Sequence, residues 1–297
     1  MVDIKALQQY VQRYPEILGK LFNGETVLSH FVPHTGANPG NYKLRLYNAG
    51  GELGECCKVP EGDSSFEEVE TIVECFTSGN EFCGPDLAKV LTDLQFRYTA
   101  GNESAPAVEE IITDQELKAI AKNIDRLVFQ GDTELEDKNL NRFDGLLKQA
   151  GDKEVDLSAI ESAYDKVYEL IANVEDEAED MDQIAIYVPY SFARKLKGEL
   201  IAKNLFHYDP GMGTERDQFN MPGYDNFVII PTRGLNGVDK IFASPKNNLH
   251  WVTNLENDHM NMLWDFDNYK QIYFWRVNFI LGVTIGIKDY VMVGKLK

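Results

Sequence analysis

The last part of the chain, from Asn226 to Lys297, consists largely of short runs of β-branched and aromatic residues. The runs occupy 227–230, 240–244, 249–253, 273–279 and 282–287. Runs of this composition, separated by polar or glycine-containing turns, are typical of successive β-strands. They contain no compact cluster of nucleophile, base and oxyanion donor, and no close spacing of metal ligands. This part of the chain is therefore predicted to pack and interlock, and not to carry out a reaction.

The size and charge of the chain narrow the classes of protein further. With 297 residues, of which 43% are hydrophobic, it can form one large domain or two small ones with well-packed cores. The formal net charge of −19 disfavours a protein that grips nucleic acid, because that affinity comes from lysine and arginine contacts to phosphate. An acidic protein can still enclose DNA without adhering to it, and the acidity can equally serve solubility.

Neither membrane insertion nor secretion is predicted. No apolar run approaches the ~20 residues of a membrane-spanning helix, since 279–283 is soon followed by Lys288 and Asp289. The N-terminus carries Asp3 and Lys5 ahead of an amphipathic pattern and lacks the apolar core of a signal peptide. We expect a soluble protein made in the cytoplasm.

The N-terminal segment, residues 4–22, has the apolar spacing of an amphipathic helix, which Pro15 breaks or bends. Such a segment caps its own domain or lies across a neighbour as an arm. Residues 26–32 follow as a candidate strand.

A hairpin is predicted next. Residues 42–47 alternate between polar and apolar and are expected to pair with 53–59 through the glycine-containing link 48–51. The expected cross-strand ion pairs join two basic residues to two acidic ones: Lys43, Arg45, Glu52 and Glu55. A two-stranded ribbon buries little by itself, so this hairpin is expected to rely on another surface.

The middle of the chain predicts a long strand at 66–76, helices at 85–98, 113–131, 158–174 and 190–205, and a buried strand at 184–188. In the helix 113–131, Thr113 and Glu116 have the spacing of a capping box. Its apolar stripe comprises Leu117, Ile120, Ala121, Ile124, Leu127 and Val128. The inward residues of helix 190–205 are predicted to be Phe192, Leu196, Leu200 and Ile201.

Cysteine and histidine offer little support for a metal or redox site. The four cysteines, Cys56, Cys57, Cys75 and Cys83, match no common zinc spacing, and we expect reduced, half-buried strand residues. Among the five histidines only His30 and His34 are close in sequence, and Pro33 interrupts them. A metal pair there is the weaker hypothesis.

Three acidic or aromatic features have both a functional and a structural interpretation. The acidic run 175–182 lacks the spacing of an EF-hand, so a solvated helix end is favoured over a calcium site. Asp265 and Asp267 could face one side of a strand as a glycosidase pair, but a solvated edge is favoured. The aromatic residues between Trp264 and Trp275 favour core or interface packing over a platform for a sugar or base.

Three stretches resemble the major capsid proteins of tailed bacteriophages. Residues 120–132 resemble the end of a spine helix that finishes in Gly-Asp, and 141–147 read Asn-Arg-Phe-Asp-Gly-Leu-Leu. Residues 243–249, Ala-Ser-Pro-Lys-Asn-Asn-Leu, resemble the turn by which a capsid chain leaves its axial domain. The order of predicted elements resembles the Hong Kong 97-like layout over nearly the whole chain.

The resemblance implies an α+β, Hong Kong 97-like capsid fold with four regions. These would be an N-terminal arm at 1–25, an extended hairpin loop at 26–60, a peripheral domain with the spine helix at 61–150 and 245–297, and an axial domain at 151–244. The arm and hairpin would gain their order by lying over neighbouring subunits.

The function implied is that of a structural major capsid protein that forms pentamers and hexamers of an icosahedral phage head around double-stranded DNA. Portal, scaffold and cement proteins are the implied partners. Some relatives carry a scaffold segment ahead of the arm, so we expect a separate scaffold or a processed chain here. The implied location is the virion capsid, after synthesis and assembly in the bacterial cytoplasm. No catalytic, cofactor-binding or metal-binding residue is assigned, no cofactor is expected, and the protein is not expected to be an enzyme.

Three other classes remain open. An encapsulin-type nanocompartment shares the fold but encloses protein. A carbohydrate-active enzyme would use Asp265, Asp267 and the nearby tryptophans. A host-side binding module would use the aromatic segment as its interface.

Overall fold

The structure, a computed structural model, describes residues 22, 26–48, 65–83, 108–151, 153–175, 178, 182–205, 218–254, 262–267, 269–270 and 272–297. The predicted N-terminal helix up to residue 21, the predicted strand 53–59 and the predicted helix 85–98 lie outside these residues.

The described residues form an α+β fold, as predicted. The strands are β1 (Val32–His34), β2 (Gly40–Asn48), β3 (Ser65–Cys83), β4 (Glu154–Asp156), β5 (Ile184–Pro189), β6 (Phe219–Met221), β7 (Tyr224–Thr232), β8 (Lys240–Pro245), β9 (Leu249–Val252), β10 (Met262–Asp267), β11 (Ile272–Ile285) and β12 (Met292–Lys295). The α-helices are α1 (Val108–Gln130), α2 (Leu146–Gln149), α3 (Ala163–Ala172) and α4 (Tyr190–Ala202). Short 3-10 turns occur at Val27–His30, Lys246–Asn248 and Lys288–Tyr290.

The first sheet has the strand order β1-β9-β11-β3-β2, with β10 paired to β11. Strand β3 pairs with β2 through residues 65–73 and with β11 through residues 74–83, in both cases antiparallel. Strand β11 pairs with β9 near its C-terminal end. One long strand therefore connects two regions of the sheet that have different neighbours.

The second sheet has the order β4-β12-β8-β5-β7-β6, and β5 is buried along its whole length. Because side chains alternate along a strand, β5 serves two cores. Ala185 and Tyr187 belong to the larger core with α1, whereas Ile184, Ile186 and Val188 belong to the core with α3 and α4. This two-sided burial explains the uninterrupted apolar run in the sequence.

Helix α1 joins the two sheets. Its predicted apolar stripe is buried throughout, and it shares one core with Trp251 and Phe279 of the first sheet and Phe242 of the second. Directly after the helix ends at Gln130, Gly131 lies against Gly145: a Cβ on Gly131 would be 2.4 Å from the carbonyl oxygen of Phe143. The Gly-Asp ending predicted to close this helix is therefore a close backbone contact.

Several local predictions were wrong in detail. Helix α1 begins at Val108, so Thr113 is a buried residue inside the helix and not its cap. Helix α3 begins at Ala163, because the Ser162 hydroxyl accepts a hydrogen bond from the Asp165 amide and caps it there. Ile201, predicted to face inward, is 63% exposed.

The strand predictions also needed correction at three places. Residues 27–30 form a 3-10 turn ahead of β1, where a strand was predicted. The two predicted runs 273–279 and 282–287 form a single strand, β11, and β10 was not predicted as an element.

Candidate functional site

The N-terminal root, residues 22 and 26–31, is held in the core of the chain itself. Phe22 is 2% exposed, and its ring centroid lies 5.3 Å from that of Trp251 and 5.9 Å from that of Phe279. The Val27 amide donates a 2.8 Å hydrogen bond to Oδ1 of Asp125 on α1. The root is therefore anchored to α1 and to the first sheet.

Asp125 is a buried charged residue, 3% exposed, and Nε of Arg233 lies 3.9 Å from its Oδ2. A buried carboxylate is tolerated when charge and hydrogen bonds compensate its desolvation. Asp125 thereby connects α1 with the N-terminal root and with the loop after β7. The sequence shows it only as one acidic residue among many, so its role was not predicted.

The β2–β3 ribbon consists of residues 40–48 and 65–73, and its β2 strand contains 42–47, the first strand of the predicted hairpin. Lys43 Nζ lies 3.1 Å from Glu68 and 3.6 Å from Glu70, and Arg45 Nε lies 3.1 Å from Glu68. These contacts match the register, in which Lys43 is opposite Glu70 and Arg45 opposite Glu68. Hydrogen bonding and charge from Lys43, together with Arg45, lower the pKa of Glu68.

The ribbon corrects two predictions. The partner of β2 is β3, and the described ion-pair partners of Lys43 and Arg45 are Glu68 and Glu70, whereas Glu52 and Glu55 lie outside the described residues. The ribbon also packs against the rest of its own chain, because Leu44 is 3% exposed and Val73 belongs to a core cluster with Val252 and Ile280.

The β10–β11 hairpin ends in a turn that a single carboxylate organises. Oδ1 of Asp267 accepts hydrogen bonds from the amides of Tyr269, at 2.8 Å, and Lys270, at 3.1 Å. These bonds lower the pKa of Asp267, so the group stays ionised at neutral pH. The Tyr269 side chain beyond this turn is 99% exposed.

The candidate histidine pair is not assembled. His30 lies beside Gln218 at 3.2 Å, whereas His34 Nε2 lies 3.1 Å from Nδ1 of His250 on β9. Burial lowers the pKa of His34, and burial together with the charge of His34 lowers that of His250 to about 4. The His250 ring is therefore neutral at pH 7, and a hydrogen bond joins the two rings, with the tautomers deciding which nitrogen donates. Proximity in sequence could not reveal this pair, whose members are on β1 and β9.

The other candidate residues are not brought into one site by the described structure. Cys75 and Cys83 are free and lie on β3, as predicted, but both are exposed and not half-buried. Cys56 and Cys57, the side chain of Asp265 and most of the acidic run 175–182 lie outside the description. Asp267 organises a turn instead of facing a cleft.

Within the described ranges, no group of three or more histidine, cysteine, aspartate or glutamate residues is arranged to hold a metal ion. No helix in the same ranges is both long enough and apolar enough to cross a membrane.

The fold of the described residues is that of tailed-phage major capsid proteins. The chain is similar to one from the satellite phage P4 procapsid that includes the size determination protein, with a TM-score of 0.63 and 9% identity, over 100% of this chain and 98% of that one. A chain from Mycobacterium phage Ogopogo gives a TM-score of 0.56 and 15% identity, over 92% of each chain.

A shell of another kind has the same fold. The holo-SrpI encapsulin of Synechococcus elongatus PCC 7942 gives a TM-score of 0.56 and 13% identity, over 92% of this chain and 88% of that one. No protein-family model matches the sequence, and no curated protein matches it. At these identities the comparisons show the fold, and function requires a separate argument.

Proposed function

We propose that the protein is a structural shell subunit, the major capsid protein of a tailed-phage head. The observation that carries this proposal is the length of β3. Its 19 residues extend over about 60 Å at ~3.3 Å per residue. A compact domain of 297 residues has a radius of gyration of about 19 Å, which for a sphere corresponds to a diameter of about 50 Å. A strand of this length extends beyond what one compact globule can enclose, and its ends suit contact with neighbouring subunits.

The match to the phage P4 procapsid chain supports the same proposal, because it extends over 100% of this chain and 98% of that one. We propose assembly into pentamers and hexamers that close into an icosahedral shell. Closed symmetry multiplies modest contacts into a stable particle, so no single contact has to be tight.

We propose four regions with the bounds expected from the sequence: arm 1–25, extended loop 26–60, peripheral domain 61–150 with 245–297, and axial domain 151–244. The N-terminal root refines the first boundary. Since Phe22 is buried against Trp251 and Phe279, the part of the arm that lies over a neighbour is proposed to end before residue 22.

The proposed content of the shell is double-stranded DNA, held without sequence-specific contacts. The net charge of −19 supports enclosure without adhesion, because phosphate binding requires clustered lysine and arginine. A separate scaffold, a portal and cement proteins are the proposed partners. The proposed location is the virion, following assembly in the bacterial cytoplasm.

A second candidate is an encapsulin-type nanocompartment, which the similarity to the Synechococcus encapsulin supports. Its shell would enclose protein in place of DNA. The two functions share the subunit fold and differ in content.

The test is to express the full chain, fractionate it by size-exclusion chromatography, and view the large fractions by negative-stain microscopy. Closed particles support the shell function. Particles that protect DNA from nuclease indicate a phage head, whereas particles that contain co-purified protein indicate an encapsulin. A chain that stays monomeric at high concentration and with candidate scaffold proteins, especially one that hydrolyses glycans, contradicts the proposal.

A further inference from the structure

The loop after β7 carries an exposed asparagine–glycine pair. Asn236 and Gly237 are both exposed, whereas Leu235 before them is 0% exposed and belongs to the larger core. The Val238 amide donates a 3.2 Å hydrogen bond to the Leu235 carbonyl, so the pair occupies the two central positions of a turn. The pair therefore faces solvent on a loop that is fixed at its base.

Gly237 supplies a backbone nitrogen that solvent can reach. Its φ of +87° suits glycine, and a Cβ built on it would meet no atom within 4 Å. Among the described residues, the Gly237 amide has no hydrogen-bond partner. An unpaired amide that loses its proton to the solvent can act as a nucleophile without first breaking a hydrogen bond.

Asn236 supplies the carbon atom that this nitrogen can attack. Its Oδ1 accepts a 3.3 Å hydrogen bond from the amide of Tyr190, the first residue of α4. A donor on this oxygen polarises the Cγ carbonyl and stabilises the negative charge that develops when a nucleophile adds to it. The positive end of the α4 dipole acts in the same direction. The loop thus combines an unpaired nucleophile with a polarised carbonyl on neighbouring residues.

Two other exposed asparagines lack this combination. Asn139 is followed by Leu140, and Asn204 is followed by Leu205. Both leucine amides donate a 2.9 Å hydrogen bond to a backbone carbonyl. At these two positions the nitrogen that would attack is already paired, and the leucine side chain crowds it.

We propose that Asn236 is a site of spontaneous deamidation in the folded chain, with the Gly237 backbone nitrogen as nucleophile and water as the only co-reactant. A bond forms between that nitrogen and Cγ of Asn236, and the bond between Cγ and Nδ2 breaks. The Gly237 amide proton leaves to solvent, and Nδ2 takes up a proton and departs as ammonia. Water then opens the cyclic imide, so a carboxylic acid replaces the amide without oxidation or reduction. This inference does not depend on the proposed shell function.

Opening of the ring gives two products that differ in their effect on the loop. Attack of water on Cγ leaves an ordinary aspartate, whose carboxylate can still accept from the Tyr190 amide and suits a helix N-terminus. Attack on the backbone carbonyl leaves isoaspartate, in which the main chain runs through Cβ and Cγ. Since the Asn236 carbonyl oxygen lies 3.5 Å from Nε2 of Gln130, the isoaspartate product alters the contact of this loop with the end of α1.

Peptide mapping tests the modification directly. The purified full chain is incubated in neutral and in mildly alkaline buffer made with heavy-oxygen water, then digested and analysed by mass spectrometry. The peptide that contains residues 236–237 should take up heavy oxygen ahead of the peptides that contain Asn139 and Asn204. Uptake should be faster in the alkaline buffer, because the Gly237 amide must lose its proton. Methylation by an isoaspartyl methyltransferase should detect the isoaspartate product.

Two variants serve as matched controls. Asn236→Gln lengthens the side chain by one methylene, which disfavours ring closure, so this variant should remain unmodified there. Leu205→Gly gives Asn204 the same glycine neighbour at an amide that is hydrogen-bonded, so deamidation of Asn204 should stay slower than that of Asn236. Circular dichroism confirms that both variants are folded.

Two results would overturn the proposal. One is a peptide 236–237 that keeps its amide in the folded chain and loses it only after unfolding in urea. The other is equal deamidation of Asn204 and Asn236 in Leu205→Gly, which would show that the glycine neighbour alone, and not the unpaired amide, sets the rate. Both results leave the shell function intact, because neither measures assembly.

Discussion

Two buried polar residues, Asp125 and Tyr187, differ in whether their polar atoms have partners in the core. The carboxylate of Asp125 accepts the Val27 amide and lies near Arg233. The hydroxyl of Tyr187 has no hydrogen-bond partner among the described residues, although the residue is 0% exposed. Burial raises the pKa of Tyr187, so the hydroxyl stays protonated at all ordinary pH values. The Asp125 carboxylate therefore stabilises the contact between α1 and the N-terminal root. The desolvation of the Tyr187 hydroxyl is not compensated by a hydrogen bond.

Tyr187→Phe is therefore expected to stabilise the subunit. Removing an unsatisfied buried hydroxyl recovers its desolvation cost, and we expect a gain of about 1 kcal/mol in the free energy of unfolding. Urea unfolding monitored by circular dichroism measures the change. Tyr168→Phe, at a site that is 48% exposed, serves as the control and should leave the midpoint unchanged. A loss of stability in Tyr187→Phe would show that the hydroxyl has a partner.

The His34–His250 pair predicts loss of stability in mild acid. The pKa of His250 falls from 6.5 to about 4 on folding, so between these values the unfolded chain binds the proton more strongly. The contribution of His250 to the free energy of unfolding is fully present above pH 6.5. It falls as the pH drops towards 4, by up to about 1.4 kcal/mol per pH unit.

Thermal unfolding of wild type and His250→Gln from pH 7 to 4 tests this dependence. The variant should show a shallower decline, because it no longer takes up that proton on unfolding. His30→Gln removes a histidine outside the pair and should keep the wild-type slope. Identical slopes in wild type and His250→Gln would show that another group controls the acid response.

At the level of elements, helix α3 depends on a carboxylate from its neighbour α4. Glu199 accepts hydrogen bonds from the Ser162 hydroxyl at 2.8 Å and from the amides of Ala163 at 3.0 Å and Tyr164 at 2.9 Å. Burial acts to raise the pKa of Glu199, but these hydrogen bonds outweigh it and hold the pKa below its ordinary value. A charged acceptor at a helix N-terminus also interacts favourably with the helix dipole.

Glu199→Gln is expected to destabilise the subunit by about 1–2 kcal/mol at pH 7, because the amide group replaces one acceptor with a donor. Since the folded pKa is depressed, the contribution of Glu199 is present above its ordinary pKa of 4.5 and is lost as the pH falls below it. The variant should therefore converge with wild type in acid.

Urea midpoints at pH 7 and pH 4 measure both effects. Glu161→Gln makes the same chemical change at an exposed position close to the helix start, and it should have little effect. A similar loss of stability in both variants would show that the change in net charge causes it, and not the loss of the hydrogen bonds to Glu199.

For the whole molecule, residues 1–21 are expected to serve assembly, and the N-terminal root is expected to serve folding. Residues 1–21 precede the root, and Phe22 is buried in the core. Deleting 1–21 is expected to leave thermal unfolding unchanged and to abolish shell formation, because the proposed arm would be lost while the core keeps Phe22. Unaltered shells from the truncated chain would rule out an arm in this segment.

Phe22→Ala in the full chain is the matched control for that truncation. It removes a buried aromatic ring, and we expect a loss of about 3–5 kcal/mol in the free energy of unfolding. Microscopy and thermal unfolding of both proteins together separate an assembly defect from a folding defect.

Elements with a strong local period were predictable. The stripe of α1 and the apolar run of β5 follow from spacing alone, and both are buried as predicted. The start of α1 was missed by several residues because Thr113 and Glu116 have the spacing of a cap that the longer helix does not use. The end at Gly131 was correct, since its glycine is required by contact with Gly145.

Pairings between distant residues were not predictable. The choice of β3 over 53–59 as the partner of β2, the His34–His250 contact and the Asp125–Val27 hydrogen bond each join residues far apart in sequence. Composition and spacing describe only the near neighbours of a residue along the chain, so they determined which segments are helices and strands and which faces are apolar. Only the tertiary structure decided which faces meet, because that choice depends on burial and hydrogen bonding summed over the whole core.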